Sequence, residues 1–179
     1  MQMWQNTFKI EGQPMTQRRI ICPAQAEDLA AILTILQANQ EAKSLIRRPE
    51  AEISRYLADF ILAKDEQGHI PGCAALHRHT HSAAEIFSVV VLPSVRGQGI
   101  GSSLVKACVQ QATERHIRTV WLSTQIPAYF SRFAFKPIPV WQLPPSILLS
   151  KLLQILRRPF PYWLPALRQR QTIMRLRGW

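Results

Sequence analysis

The stretch AEIFSVVVLPSVRGQGIGSSLVKACVQQ, residues Ala84 to Gln111, decides the fold. Glu85 to Leu92 is rich in Val, Ile and Phe and is closed by Pro93, so it reads as a buried strand. Gly97, Gly99 and Gly101 then alternate directly before apolar residues at helical spacing, Ile100, Leu104, Ala107, Cys108 and Ala112. The unit is a strand, a glycine loop and a helix. Glycine lets backbone N–H groups converge without an intervening Cβ, and those at a helix start carry positive potential, which suits a phosphate. A tight turn requiring positive φ is the alternative use of the same glycines.

Two nucleotide loops are excluded. No Gly-Lys-Ser/Thr ending of a P-loop is present. The dinucleotide fingerprint has a different glycine spacing and needs an acidic residue about 20 positions further on, whereas the last acidic residue of the chain is Glu114.

The run Arg96-x-x-Gly99-x-Gly101 resembles the acetyl-CoA loop of the GNAT N-acetyltransferases. Val91-Leu92-Pro93 before the loop, and Tyr129-Phe130-Ser131-Arg132-Phe133-Ala134-Phe135 after the next strand, resemble two further blocks of that family, and the resemblance covers Arg18 to Pro139. It implies an α/β (α+β) GNAT fold, a mixed and mostly antiparallel sheet with flanking helices. It also implies acetyl-CoA as co-substrate, with no metal, and transfer of the acetyl group to an amine. Backbone groups of Val89 and Val91 would pair with the pantetheine arm, and Arg96, Gly97, Gln98, Gly99, Ile100, Gly101 and Ser102 would hold the pyrophosphate.

Acyl transfer from a thioester needs a deprotonated amine, a polarised carbonyl and a protonated leaving thiolate. Glu85 is the candidate base: it sits among Ile86, Phe87 and valines, where an ionised carboxylate needs a reason or a partner. An outward-facing strand position is the bland alternative. For the leaving-group acid, the family's tyrosine position is occupied by Phe130, and Ala134 replaces the usual glycine. Tyr129, Ser123 and Thr124 are the remaining candidates, and Tyr129 would point about 100° away from Phe130 on a helix.

The blocks LIRRPEAEI, CAALH, AEIFSVVV and AYFSRFAF resemble the acetyltransferase domain of bacterial N-acetylglutamate synthases. That subgroup implies an amino acid such as glutamate as acceptor and makes Arg47 and Arg48 candidates for its carboxylate, which guanidinium meets bidentately. The same two residues also fit a solvated helix entry. The kinase-like domain that accompanies many such synthases is absent from this sequence, and Gln125 stands where the group often has arginine. A protein N-terminal or lysine acetyltransferase, and a non-catalytic acetyl-CoA-binding module, are the competing readings.

The 179 residues, 47% of them hydrophobic, support a tail over 1–17 and one domain over 18–179. Cys22, Cys73 and Cys108 lie in apolar runs and read as reduced core thiols of a cytoplasmic protein. The N-terminus has no secretory-signal pattern. His77, His79 and His81 alternate without a nearby acidic or cysteine partner, so polar residues at a hairpin end are favoured over a metal site.

The net charge of +11 is unevenly placed. Residues 1–114 hold 11 of the 22 Lys/Arg and all 11 Asp/Glu, so the excess lies entirely in 115–179. The basic last third suggests contact with CoA phosphates, a membrane surface or an acidic protein, with nucleic acid less favoured.

Further strands are expected at Arg18–Cys22, Phe60–Lys64, Ile70–His77, Thr119–Thr124, Phe135–Leu143 and Thr172–Arg177. Helices are expected over Leu29–Ala42 and from Pro49, burying Ile53, Tyr56, Leu57 and Phe60. Residues 144–168 read as an insertion carrying an amphipathic helix too short to span a bilayer, suited to covering a sheet edge, contacting a second copy in a homodimer or lying at a membrane surface.

Overall fold

The computed structural model describes residues 8–9, 19–40, 48–156 and 171–177. They form a single eight-stranded sheet in the order β1-β2-β3-β4-β5-β6-β8-β7. Two residues of the segment read as a tail make the edge strand β1 (Phe8–Lys9), paired antiparallel with Ile20 and Ile21 of β2 (Arg19–Pro23). β3 (Phe60–Asp65), β4 (Gly72–Arg78) and β5 (Ala83–Val91) follow as an antiparallel meander, as three strands with no helix between them require.

The glycine loop opens α3 (Ile100–Glu114), which crosses over to β6 (Thr119–Thr124), parallel to β5. β8 (Thr172–Arg177) pairs antiparallel with β6 and with the two-residue β7 (Lys136–Pro137). The strand expected over Phe135–Leu143 stops here because Pro137 and Pro139 cannot donate to a ladder; Val140–Gln142 is instead a 3-10 turn. Ala134 adopts φ +62, a conformation glycine takes at no cost.

Each face of the sheet is covered. Ile100, Leu104, Val105, Cys108 and Ala112 line one side of α3 and pack with Ala74, Leu76, Ala84 and Ile86. On the other face, α1 (Leu29–Gln40) buries Ile32, Ile35 and Leu36 with Ile53 of α2 (Glu50–Arg55), against Phe60, Leu62, Phe87 and Val90. α2 is shorter than expected: a 3-10 turn over Leu57–Asp59 follows it, and Phe60 begins β3, where the strand over Phe60–Lys64 was expected. α4 (Pro127–Ser131) follows β6, and Phe130 turns inward to Phe135. α5 (Pro145–Leu156) buries Ile147 against Ala83, Trp121 and Leu143, while Leu149, Leu152, Leu153 and Leu156 are exposed. Its apolar surface is therefore on two sides: Ile147 on the sheet, four leucines on the opposite side.

Candidate active site

Two breaks in β5 build the site. Its ladder with β6 covers only Ala83, Ala84 and Glu85, the last opposite Trp121, whereas its ladder with β4 continues to Val91. Among the described residues, Ile86 to Val91 thus have one ladder edge without a strand partner, and Val89 and Val91 fall in this half. A bulge then sets two residues of β5, Ser88 and Val89, against Ala74 of β4, with Ser88 at φ +51. Bulges increase twist and turn a strand away from its neighbour. Glu85 sits where the two strands part.

The loop reaches the open end of that edge. Gly97 at φ +82 and Gly99 at φ +78 are both left-handed, and a Cβ on either would meet nothing within 4 Å, so backbone conformation, not space, requires them. Gly101 differs: a Cβ there would lie 2.7 Å from the Tyr129 hydroxyl oxygen. Tyr129 thus rests on the first turn of α3, with the Arg132 guanidinium 4.5 Å above its ring. Two amide contacts anchor the loop. Arg19, buried on β2, donates to the Gln98 side-chain carbonyl at 2.7 Å, and Arg96 donates to that of Asn39 at 2.6 Å. Asn39 is itself buried and donates to the Ile35 carbonyl. Arg19 and Asn39 carry no signal in the sequence that links them to the loop.

Glu85 is buried among charged partners. Its Oε2 lies 3.1 Å from His79 Nε2, and its Oε1 lies 4.0 Å from Arg48 Nη2. Arg48 is buried too, donates to the Glu52 carboxylate and lies 4.3 Å over the Phe87 ring. It is therefore not a solvated helix entry. Arg47 lies outside the described residues. Ser123 shares the face of β6 that carries Trp121, two residues further on. Thr124 accepts a hydrogen bond from the Ile126 N–H, which gives its hydroxyl a turn-forming use.

The histidines stand at the end of the β4–β5 hairpin, His79 and His81 in its turn, but His77 and His79 have the acidic partners that the sequence did not show. His79 stacks near Trp121, at 5.6 Å, and meets the His77 ring edge-on at 4.7 Å; His77 Nδ1 lies 2.7 Å from Asp59 Oδ2. Among the described residues no group of three or more His, Cys, Asp or Glu could hold a metal. A separate groove of about 530 Å³ lies along the outer side of α3, lined by Lys106, Val109, Gln110, Thr113, Arg132 and Phe133.

Residues 27–135 match the family model described as Acetyltransferase (GNAT) family. An uncharacterized N-acetyltransferase of Chlorobaculum tepidum is 30% identical over 124 residues, 69% of this chain and 79% of the relative. An amino-acid acetyltransferase of Mycobacterium tuberculosis is 28% identical over 127 residues, covering 70% and 72% of the two chains. In fold the chain is similar to N-acetylglutamate synthase from Neisseria gonorrhoeae, solved with coenzyme A and N-acetyl-glutamate, at a TM-score of 0.74 and 18% identity over 89% of this chain. It spans only 35% of that synthase, and 30% of the amino-acid acetyltransferase of Pseudomonas fluorescens.

Proposed function

Since the chain belongs to the acetyltransferase (GNAT) family, we propose that it moves the acetyl group of acetyl-CoA onto the α-amine of a small amino acid, glutamate ahead of others. The observation that carries the acceptor is the 4.0 Å approach of Arg48 to Glu85. In an α-amino acid only two bonds separate the amine nitrogen from the carboxylate carbon. A substrate carboxylate on Arg48 therefore brings its amine to Glu85, and a guanidinium has donors for more than one carboxylate. A protein N-terminus or a lysine side chain has no α-carboxylate beside its free amine.

The same reading gives each part of the site a step. The open edge of β5 at Val89 and Val91 takes the pantetheine amides as a strand would be added. The left-handed glycines and the start of α3, Arg96 to Ser102, take the pyrophosphate, and Lys106 and Arg132 in the flanking groove take the terminal phosphate. Glu85 removes a proton from the amine, whose nitrogen attacks the thioester carbon; the C–N bond forms and the C–S bond breaks. Tyr129, lying on the loop beside Val91, gives its hydroxyl proton to the leaving thiolate, and Ser123 is the alternative donor.

Residues 18–179 act as one domain, with 144–168 an insertion whose helix covers Trp121. Among the described residues no helix is long and apolar enough to cross a membrane. The leucine ridge of α5 and the absence of acidic residues after Glu114 favour a second role for the insertion, contact with an anionic membrane surface. Thiol release from acetyl-CoA across amino acids, their α-amides, polyamines and peptides tests the acceptor. Release with amino acids and not with their α-amides supports the reading, and release with peptides overturns it.

A further inference from the structure

Acetyl transfer leaves a proton on Glu85 at every turnover, and Glu85 is almost closed to solvent, with a side-chain exposure of 4%. A proton held there stops the next cycle. The groups around it form a line leading out. His79, 2% exposed, touches Glu85 through Nε2; His77 abuts the His79 ring; and His77 pairs with Asp59 where both are about a quarter exposed, at 24% and 23%.

We propose that His79 is the positioning residue through which Glu85 discharges its proton, and that His77 and Asp59 complete the route to water. The proposal rests on the acetyl-transfer reading and adds to it a step on which turnover depends. The proton on Glu85 Oε2 crosses to Nε2 of the neutral His79 ring, giving an imidazolium beside a restored carboxylate. The imidazolium then loses its Nδ1 proton outward, past His77 and Asp59, and a half-turn of the ring presents the deprotonated nitrogen to Glu85 again. One proton enters and one leaves, and nothing is oxidised or reduced. Only histidine can do this near neutral pH, because its two ring nitrogens bind and release protons on opposite sides.

Other groups face the pair. Arg48 and Glu52 face Glu85 from the side of α2, Asp59 faces His77 from the 3-10 turn before β3, and Trp121 of β6 packs an uncharged ring on His79. On β8, Arg175 lies opposite Trp121 in register, and its side chain is engaged by Gln142. Tyr56 packs on His77 at 4.5 Å and holds its ring. A histidine serving only to hold Glu85 would not need this outward chain.

His79→Gln separates the two roles, since its amide can still donate to Glu85 but cannot take up a proton. The expected result is a fall in kcat of about 10- to 100-fold, with KM for acetyl-CoA within about twofold of the wild type. Concentrated imidazole buffer should restore part of kcat by accepting the proton directly, across a pH profile from mildly acidic to alkaline. His77→Gln, at a partly exposed position that tolerates change, should show a smaller fall with the same buffer dependence. A kcat within about twofold of the wild type in either variant, or a fall that no buffer relieves, overturns the relay while leaving acetyl transfer intact. A wild-type protein silent with every amine overturns both.

Discussion

Glu85 of β5 and Trp121 of β6 are the last pair joining two neighbouring strands that run parallel. Everything assigned to the site follows from that fork. Below it the strands are bonded and the carboxylate is enclosed; above it, among the described residues, β5 has an edge without a strand partner that ends at the glycine loop. On the proposed reading, a base placed at the fork meets an acyl group laid along the edge, with Arg48 4.0 Å from its carboxylate.

Arg48 bridges two carboxylates, so its removal should be felt twice. Arg48→Ala takes a buried guanidinium away from Glu52 and Glu85, a change that typically costs about 3–5 kcal/mol. Thermal melting should show the loss, and KM for the amino acid should rise more than about tenfold. Arg48→Lys should recover more of the stability than of the KM, because an ammonium cannot meet a carboxylate in two places.

Gly101 and Tyr129 should be coupled. A methyl at Gly101 meets the Tyr129 hydroxyl at 2.7 Å, so Gly101→Ala should destabilise by about 1–3 kcal/mol. Tyr129→Phe removes the oxygen, and the double variant should be more stable than the sum of the singles predicts. Additive effects in urea melts would mean that Tyr129 does not rest on this turn.

Cys73 and Cys108 provide a pH test of the core. Burial pushes both thiols up to about 12 from 9.0, with Cys73 adding slightly to the shift at Cys108. A raised folded-state value means that stability is complete below the unfolded value and is lost as pH climbs from about 9 toward 12. The slope should approach about 1.4 kcal/mol per pH unit for each thiol. Cys73→Ala should shallow that slope, and a disulfide reagent should label neither residue in the native protein near neutral pH.

The leucine ridge of α5 makes a separate prediction. Sedimentation with phosphatidylserine-rich vesicles should carry the protein down at low salt, and pure phosphatidylcholine should not. Replacing Leu149 and Leu153 together with Gln should abolish the effect without lowering the melting temperature, since both side chains are exposed. Unchanged sedimentation would remove the membrane role.

What could be read in the sequence was what neighbours dictate. The strand, loop and helix from Ala84 to Gln111 follow from apolar spacing and glycine position, and Glu85 stands out as a carboxylate in an apolar strand. Contacts between distant segments could not be read: Arg19 reaches Gln98 across 79 positions, and nothing in either residue announces the other. The alternating histidines showed no acidic partner in the sequence because Asp59 and Glu85 reach them only through the fold. The tight turn after β4, where the His79 and Thr80 N–H groups both bond the Ala83 carbonyl, brings His79 beside Glu85. The apolar run from Phe135 to Leu143 reads as a strand, but Pro137 and Pro139 lack the donors a ladder needs, and the strand ends at Pro137.

The most direct measurement is thiol release from acetyl-CoA with glutamate by the wild type and by Glu85→Gln, paired with calorimetric titration of acetyl-CoA into both. The account predicts steady release by the wild type, a loss of about 10²–10⁴-fold in the variant, and acetyl-CoA affinity unchanged, because the loop and the β5 edge are untouched. Release at the wild-type rate from Glu85→Gln would contradict the role given to the fork.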